Sequence, residues 1–391
     1  MSTILKAPMG ANPERARNHN RQLVLRAIRN AGAVGRAEIA RASGLSTQAV
    51  SNIIADLQDE GLIVEQGVRS AGRGLPVQQY AIRPTGGYAL GIEIRPTAVF
   101  TAIVDLLGTS LITHRIPLPD TDRKTILKTV STQMAFCLAE TSISKSALMG
   151  AGIVMPGPFG PTGLRGTKSE LPGWHSEDPA TTFAGLLDMP VFVENDANAA
   201  AMAERMTGVA QGLDSFAYLY FGQGLGLGLV HDGQAMQGAF GNAGEIGHTP
   251  VFMDGKQIPL EAAASRLSVE AHLESFGLRV KSMDDLQDLY TQQNENLLAW
   301  LDTAADALGP AVSLIENLFD PETIILGGAM PAAILDLMIE RTELPELSVA
   351  NRPDRTRPRL MRGTSGRMTA TLGAAALVLH DAFTPAITAA R

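Results

Sequence analysis

Ala37-Glu38-Ile39-Ala40-Arg41-Ala42-Ser43-Gly44-Leu45-Ser46-Thr47-Gln48-Ala49-Val50-Ser51-Asn52-Ile53-Ile54-Ala55-Asp56-Leu57-Gln58-Asp59 decides how the front of this chain folds. Ala37 to Ser43 reads as a short helix, ended by the left-handed turn that Gly44 can supply without steric cost. Ser46 is a good N-cap, and a second helix follows to about Asp59. Val50, Ile53, Ile54 and Leu57 fall at i, i+3, i+4 and i+7, which predicts one buried stripe on that helix. Thr47, Gln48, Ser51 and Asn52 occupy the opposite face. Such side chains hydrogen-bond base edges or phosphates without filling a major groove.

Working outward, Val24, Ala27, Ile28 and Ala31 share one face of a leading helix. Leu62, Ile63 and Val64 read as a strand and Val77 to Ile82 as a second. Between them Gly67-Val68-Arg69-Ser70-Ala71-Gly72-Arg73-Gly74 reads as a flexible loop with two arginines. The order is that of a winged helix-turn-helix. It predicts duplex DNA as partner, with Thr47, Gln48, Ser51 and Asn52 at the groove, Arg69 and Arg73 on the backbone or in the minor groove, and Arg36 and Ser46 as further DNA contacts. The same order would also serve a winged helix that docks another protein, and polar residues on an exposed face are commonly only solvated.

Charge follows the same division. Through Arg83 the chain holds 11 basic and 6 acidic side chains, a net of +5, and the remainder holds 21 and 34, a net of −13. A basic head attracts phosphate while an acidic body keeps it away. At 391 residues the chain is too long for one core. No apolar run approaches a membrane span, and the N-terminus lacks the pattern of a secretory signal, so a cytoplasmic location without membrane attachment is expected. The single cysteine, Cys137, can form no intrachain disulfide and is expected in a helix core. Met1 to Asn18 reads as a loose arm, and 19–84 as the DNA-binding domain.

From about Thr85 the pattern is α/β. Tyr88–Ile94, Val99–Asp105 and Ser110–Ile116 read as successive strands, followed by a helix from Arg123 to Glu140 and a strand at Leu148–Met155. Val191–Glu194 is another strand and Ala197–Met206 a helix. Leu90 to Gly108 runs strand, turn, strand, Asp, Gly, and Tyr218 to Gly233 does the same. This faint repeat predicts a duplicated, two-lobed fold with a ligand cleft between the lobes.

Three further segments carry a family resemblance: Val193-Glu194-Asn195-Asp196-Ala197-Asn198-Ala199-Ala200, Gly222-Gln223-Gly224-Leu225-Gly226-Leu227-Gly228 and Gly241-Asn242-Ala243-Gly244-Glu245-Ile246-Gly247-His248. Together with Met155-Pro156-Gly157-Pro158, Leu171-Pro172-Gly173-Trp174 and Ile324-Ile325-Leu326-Gly327-Gly328, they make the chain similar to the ROK family of repressors, open reading frames and sugar kinases, in its repressor branch. The resemblance implies a two-lobed actin-like or ribonuclease H-like domain of sugar kinase type over 85–391. Lobe one would hold 85–198 with a C-terminal helix at about 371–391, and lobe two 199–370. It also implies that Asn195, Asp196, Glu245, His248 and Glu261 bind a sugar. From the residues alone, Asp196 could equally cap a helix and Glu245 shape a turn.

Three departures from the family pattern bear on function. Its kinases have Asp-Ile-Gly-Gly-Thr in the first phosphate loop, where this chain has Glu93-Ile94-Arg95-Pro96-Thr97. A bulky cation and a residue without an N–H replace the two glycines that let phosphate lie against backbone. Catalysis is therefore not expected and no cofactor is implied, although the second loop keeps its glycines and Gly327-Gly328 stand where the family places the nucleotide; those glycines could equally serve packing and turns. The stretch Thr249 to Leu260 lacks the family's zinc-binding cysteines, so it must be held by packing through Val251, Phe252, Ile258 and Leu260. Glu170 stands where relatives often have Asn, which bears on sugar preference. The reading is a sugar-responsive repressor, dimeric or tetrameric on a two-fold operator. The rival is an active ATP-dependent sugar kinase with a DNA-binding head, and a third reading has a vestigial pocket and a protein partner.

Overall fold

The computed structural model describes residues 13–69, 76–159, 171, 174, 178–253, 255–364 and 366–384. Its contacts divide the chain into two units. The first runs up to Tyr88 and takes in Asp105–Thr109 and the residues from Leu379; the second holds Ala89–Val104 and Ser110–Val378.

The first unit opens with α1 (Pro13–Ala31), β1 (Val34–Gly35), α2 (Arg36–Ser43) and α3 (Thr47–Asp59), followed by β2 (Ile63–Arg69) and β3 (Val77–Ile82). Gly44 ends α2 at φ 69°, and Ser46 Oγ accepts the Ala49 N–H at 3.2 Å to start α3. Val24, Leu25 and Ile28 from α1, Ile39 from α2 and Val50, Ile54 and Leu57 from α3 are buried together with Ile63, Tyr80 and Ile82 of the sheet. Each such aliphatic side chain contributes roughly 2 kcal/mol on leaving water. The strands run in the order β1-β3-β2, with Val34 opposite Tyr80 and Ile63 opposite Ile82.

Two sequence expectations need correction here. The arm is shorter than 1–18, because α1 already begins at Pro13, a residue preorganised for a first helical turn. Arg17 and Arg21 then pair with Asp56 of α3 and with Glu60, its C-cap, tying down a stretch whose polar composition suggested a free arm. The loop expected from Gly67 is also shorter, since β2 continues to Arg69 through a bulge between Glu65 and Val68. Gly67 sits in that bulge at φ 83°, which a reading of glycine as a loop signal misses.

The second unit holds two five-stranded sheets. The first is made of β4 (Tyr88–Arg95), β5 (Ala98–Asp105), β6 (Ser110–Pro117), β7 (Leu148–Val154) and β8 (Val191–Glu194), with α4 (Arg123–Thr141) and α5 (Pro179–Leu187) between its later strands. After α6 (Asp196–Thr207) comes the second sheet. It consists of β9 (Phe216–Phe221), β10 (Leu225–His231), β11 (Gln234–Ala235), β14 (Ile324–Gly328) and β15 (Leu360–Arg362). The intervening chain forms a ribbon, β12 (Pro250–Met253) and β13 (Lys256–Pro259), and helices α7 (Leu260–Ala263), α8 (Arg266–Ser275), α9 (Met283–Thr291) and α10 (Glu295–Phe319). Helix α11 (Ala332–Arg341) lies between β14 and β15, and α12 (Thr369–Phe383) follows.

The sheet orders are β6-β5-β4-β7-β8 and β11-β10-β9-β14-β15. Numbered within its own half, each sheet reads third, second, first, fourth, fifth. The faint repeat in the sequence therefore marks corresponding strand pairs, β4–β5 and β9–β10. Helix α6 is alanine-rich and buried on every side, as an internal helix must be. Glycine lets α12 approach closely: a Cβ on Gly91 of β4 would meet Thr371 O at 2.2 Å, and one on Gly152 of β7 would meet Ala374 O at 1.8 Å. Cys137 is fully buried in α4, where loss of solvent pushes its thiol up to about 11.

Candidate functional site

On the first unit, Thr47, Gln48 and Asn52 stand exposed along one face of α3, and Ser51 is half-buried beside them. Ser46 is committed through its hydroxyl to the helix start. Arg36, the first residue of α2, is exposed with its guanidinium 5.3 Å from the centre of the Tyr80 ring. Arg69 forms an ion pair with Glu38, whose other carboxylate oxygen accepts the Gly35 N–H at 3.1 Å. Nothing in either neighbourhood signals that pairing, which holds the wing base against α2. Arg73 lies outside the described residues.

In the second unit, β8 delivers the chain to α6, and three acidic or amide residues cluster at the junction. Asn195 caps the helix, its Oδ1 accepting the Asn198 N–H at 2.7 Å. The capping role weighed for Asp196 thus belongs to Asn195. Asp196, the first residue of α6, is half-buried and accepts the Ala197 N–H at 2.9 Å. Burial, and then the charge of Glu93, push its carboxyl up to about 7, against the opposing pull of that N–H and of Arg95; Glu245 adds to the rise. A carboxyl near neutrality can both accept from and donate to hydroxyl groups.

Glu245, His248 and Glu261 come together from two segments. His248 Nε2 lies 3.6 Å from Glu245 Oε2, and His248 Nδ1 lies 3.5 Å from Glu261 Oε1. Burial raises the Glu245 carboxyl, partly offset by His248. Glycines make the room. A Cβ on Gly157 would meet Glu245 Oε1 at 2.9 Å, one on Gly222 would meet Asp196 Oδ2 at 3.1 Å and one on Gly224 would meet Glu261 Oε2 at 2.7 Å. In β10 the glycines serve packing, since a Cβ on Gly228 would meet Ala197 O at 2.4 Å. Carboxylates, an amide and an imidazole gathered this way suit a ligand rich in hydroxyls.

Two buried anions behind the cradle escaped the sequence reading. Glu194 accepts from Asn195 N at 2.9 Å and Asn198 Nδ2 at 3.1 Å through Oε1, and from Gln237 Nε2 at 2.8 Å through Oε2. It thereby ties β8 to the loop that leads to Glu245. Glu93 accepts from Arg95 Nε at 2.5 Å and from Thr371 Oγ1 at 2.7 Å. The Arg95 guanidinium also lies 4.5 Å from the Phe100 ring centre. The end of β4 thus carries a cation followed by a proline, Arg95 and Pro96. Glu194 lay inside a quoted motif and offered a signal; Gln237 and Thr371 offered none.

The stretch Thr249–Leu260 folds as the β12–β13 ribbon, with Val251 and Leu260 in the core and Ile258 packed against it. Phe252, expected to pack, is instead 78% exposed, because alternation along β12 points it away from Val251's face. Without a sulfur ligand in this stretch, its residues do not fit a tetrahedral zinc site.

Residues 89–381 match the ROK family, and residues 23–74 match the MarR family. The chain belongs to the ROK family. It is a ROK chain with a MarR-like winged helix-turn-helix in front. The xylose repressor of Bacillus spizizenii is 25% identical over 313 residues, covering 78% of this chain and 81% of the repressor. Among solved structures, a ROK family transcriptional regulator described as a homologue of the E. coli MLC protein superposes with TM-score 0.74 at 22% identity. It covers 95% of this ROK chain and is itself covered to 98%. A ROK hexokinase from Thermus thermophilus superposes with TM-score 0.57 at 25% identity, covering 74% of this chain and 97% of the hexokinase. The regulator matches nearly the whole ROK chain and the hexokinase about three quarters of it. No helix among the described residues is long and apolar enough to cross a membrane.

Proposed function

We propose that this ROK chain is a cytoplasmic transcriptional repressor of carbohydrate genes, controlled by a sugar or sugar derivative held by Asn195, Asp196, Glu245, His248 and Glu261 without phosphoryl transfer. The observation that carries the reading is Arg95, paired with buried Glu93 at the end of β4. That geometry supports a cleft kept for binding while the phosphate-holding backbone is lost. The name borne by the Bacillus xylose repressor supports the carbohydrate assignment. Thr47, Gln48, Ser51 and Asn52 then face the operator, and Arg36, Ser46, Arg69 and Arg73 are its further contacts. A homodimer or tetramer sets two such helices on a two-fold operator one or more turns apart. Ligand shifts DNA affinity only by its differential affinity for two arrangements of the lobes, 85–198 with the C-terminal helix and 199–370.

The test is a sugar panel read by thermal shift, duplex retention and coupled ATP consumption on the full chain. A sugar that raises the melting point and changes operator affinity, with no ATP turnover, is the expected result. Sugar-dependent ATP consumption would favour a kinase with a DNA-binding head, the reading that the similarity to the hexokinase supports.

A further inference from the structure

We propose that Gln48 and Asn52 form one composite reader that selects adenine through its major-groove edge in each half of the operator; this rests on the reading of α3 as the element that enters the groove. The two residues stand one helical turn apart, both exposed, and Gln48 Nε2 donates to Asn52 Oδ1 at 3.1 Å. Making that bond leaves the Gln48 oxygen free to accept and the Asn52 amino group free to donate. Reversing which amide donates gives the same remainder, one spare oxygen and one spare amino group.

Adenine offers the matching pattern in the major groove, an N6 amino donor beside an N7 acceptor. Guanine offers two acceptors, N7 and O6, and would set its O6 against the spare amide oxygen. The common reader of guanine is a bidentate Arg or Lys, and α3 from Thr47 to Asp59 contains neither. Thr47 and Ala55 are exposed on the same helix and present methyl groups suited to the C5-methyl of thymine. The amide–amide bond also fixes both side chains before DNA arrives, which lowers the ordering cost of binding. Cations off this helix, such as Arg36 and Arg69, serve phosphate and carry no base choice.

The experiment selects duplexes from a randomised pool with the full chain at fixed salt, then varies single bases in the recovered site. Each half-site is expected to contain an adenine whose replacement by guanine weakens binding on the order of tenfold to a hundredfold. 7-Deazaadenine, which lacks the N7 acceptor, is expected to lose a comparable factor. 2,6-Diaminopurine keeps the major-groove edge and is expected to bind within about twofold of adenine. Gln48→Arg supplies two donors and should move the preference to guanine, while Gln48→Ala should flatten it with an unchanged melting point. A required guanine, or 7-deazaadenine binding as well as adenine, overturns the proposal while leaving the DNA-binding reading intact. Recovery of no preferred duplex overturns both.

Discussion

Gly373 of α12 and Ala199 of α6 meet backbone to backbone: a Cβ on Gly373 would stand 1.9 Å from the Ala199 carbonyl oxygen and 2.3 Å from its carbon. No flexible side chain can yield there, so the two helices would have to separate. Gly373→Ala is expected to destabilise the fold by about 3 kcal/mol or more, read as a lowered denaturation midpoint. Gly185→Ala is the control, because a Cβ there meets nothing within 4 Å inside α5. That change should stabilise by about 0.5–1 kcal/mol. Equal effects from both would refute the close-packing account.

Arg95 balances Glu93, which is only 3% exposed and has Thr371 as its other side-chain partner. Removing the cation strands a buried carboxylate, whereas replacing both residues by apolar or neutral ones does not. Arg95→Met should cost about 3 kcal/mol, and adding Glu93→Gln to it should recover most of that loss. Chemical denaturation of the four chains in a cycle measures the coupling; additive losses would exclude it.

The raised carboxyl of Asp196 gives stability a definite pH dependence. Between its ordinary value, roughly 4, and the folded value of about 7, the folded chain keeps a proton that the unfolded chain has released. Stability attributable to this group therefore falls as pH rises through that window and is level above it. About 2 kcal/mol is expected, allowing for solvent access at a half-buried position. Asp196→Asn should remove that slope and, if the cradle reading holds, the sugar response as well. An unchanged slope in the variant would mean that Asp196 titrates normally.

Arg69 is held by Glu38, so the wing base meets DNA only by giving up that partner. Glu38→Ala should tighten binding to all duplexes by a few-fold. Arg69→Ala should weaken binding regardless of sequence and reduce the slope of log affinity against log salt by about 0.9. Binding isotherms over a salt series decide it: a slope unaltered by Arg69→Ala would remove that residue from the phosphate contacts.

Local signals were legible in the sequence and distant ones were not. Gly44, Ser46 and the Val50–Leu57 stripe act within one or two turns, and each stands where its spacing implied. The start of α1 depends on partners at the end of α3, Asp56 and the C-cap Glu60, and its polar letters suggested an arm instead. In the cradle, the spacing of three between Glu245 and His248 announced their meeting. The contact between Thr371 and Glu93 spans 278 positions and leaves no trace in either neighbourhood. Phe252 was misjudged because hydrophobicity alone does not say which side of a two-stranded ribbon meets the core.

The twin sheets share one strand order, yet the groups lining the cradle do not repeat. Asp196 leaves the last strand of the first sheet, whereas Glu245, His248 and Glu261 belong to chain inserted between β11 and β14 of the second. Doubling of the strand order has thus not doubled the candidate site. Edits confined to 237–263 would therefore reach three of the five proposed contacts while both sheets keep their strand order.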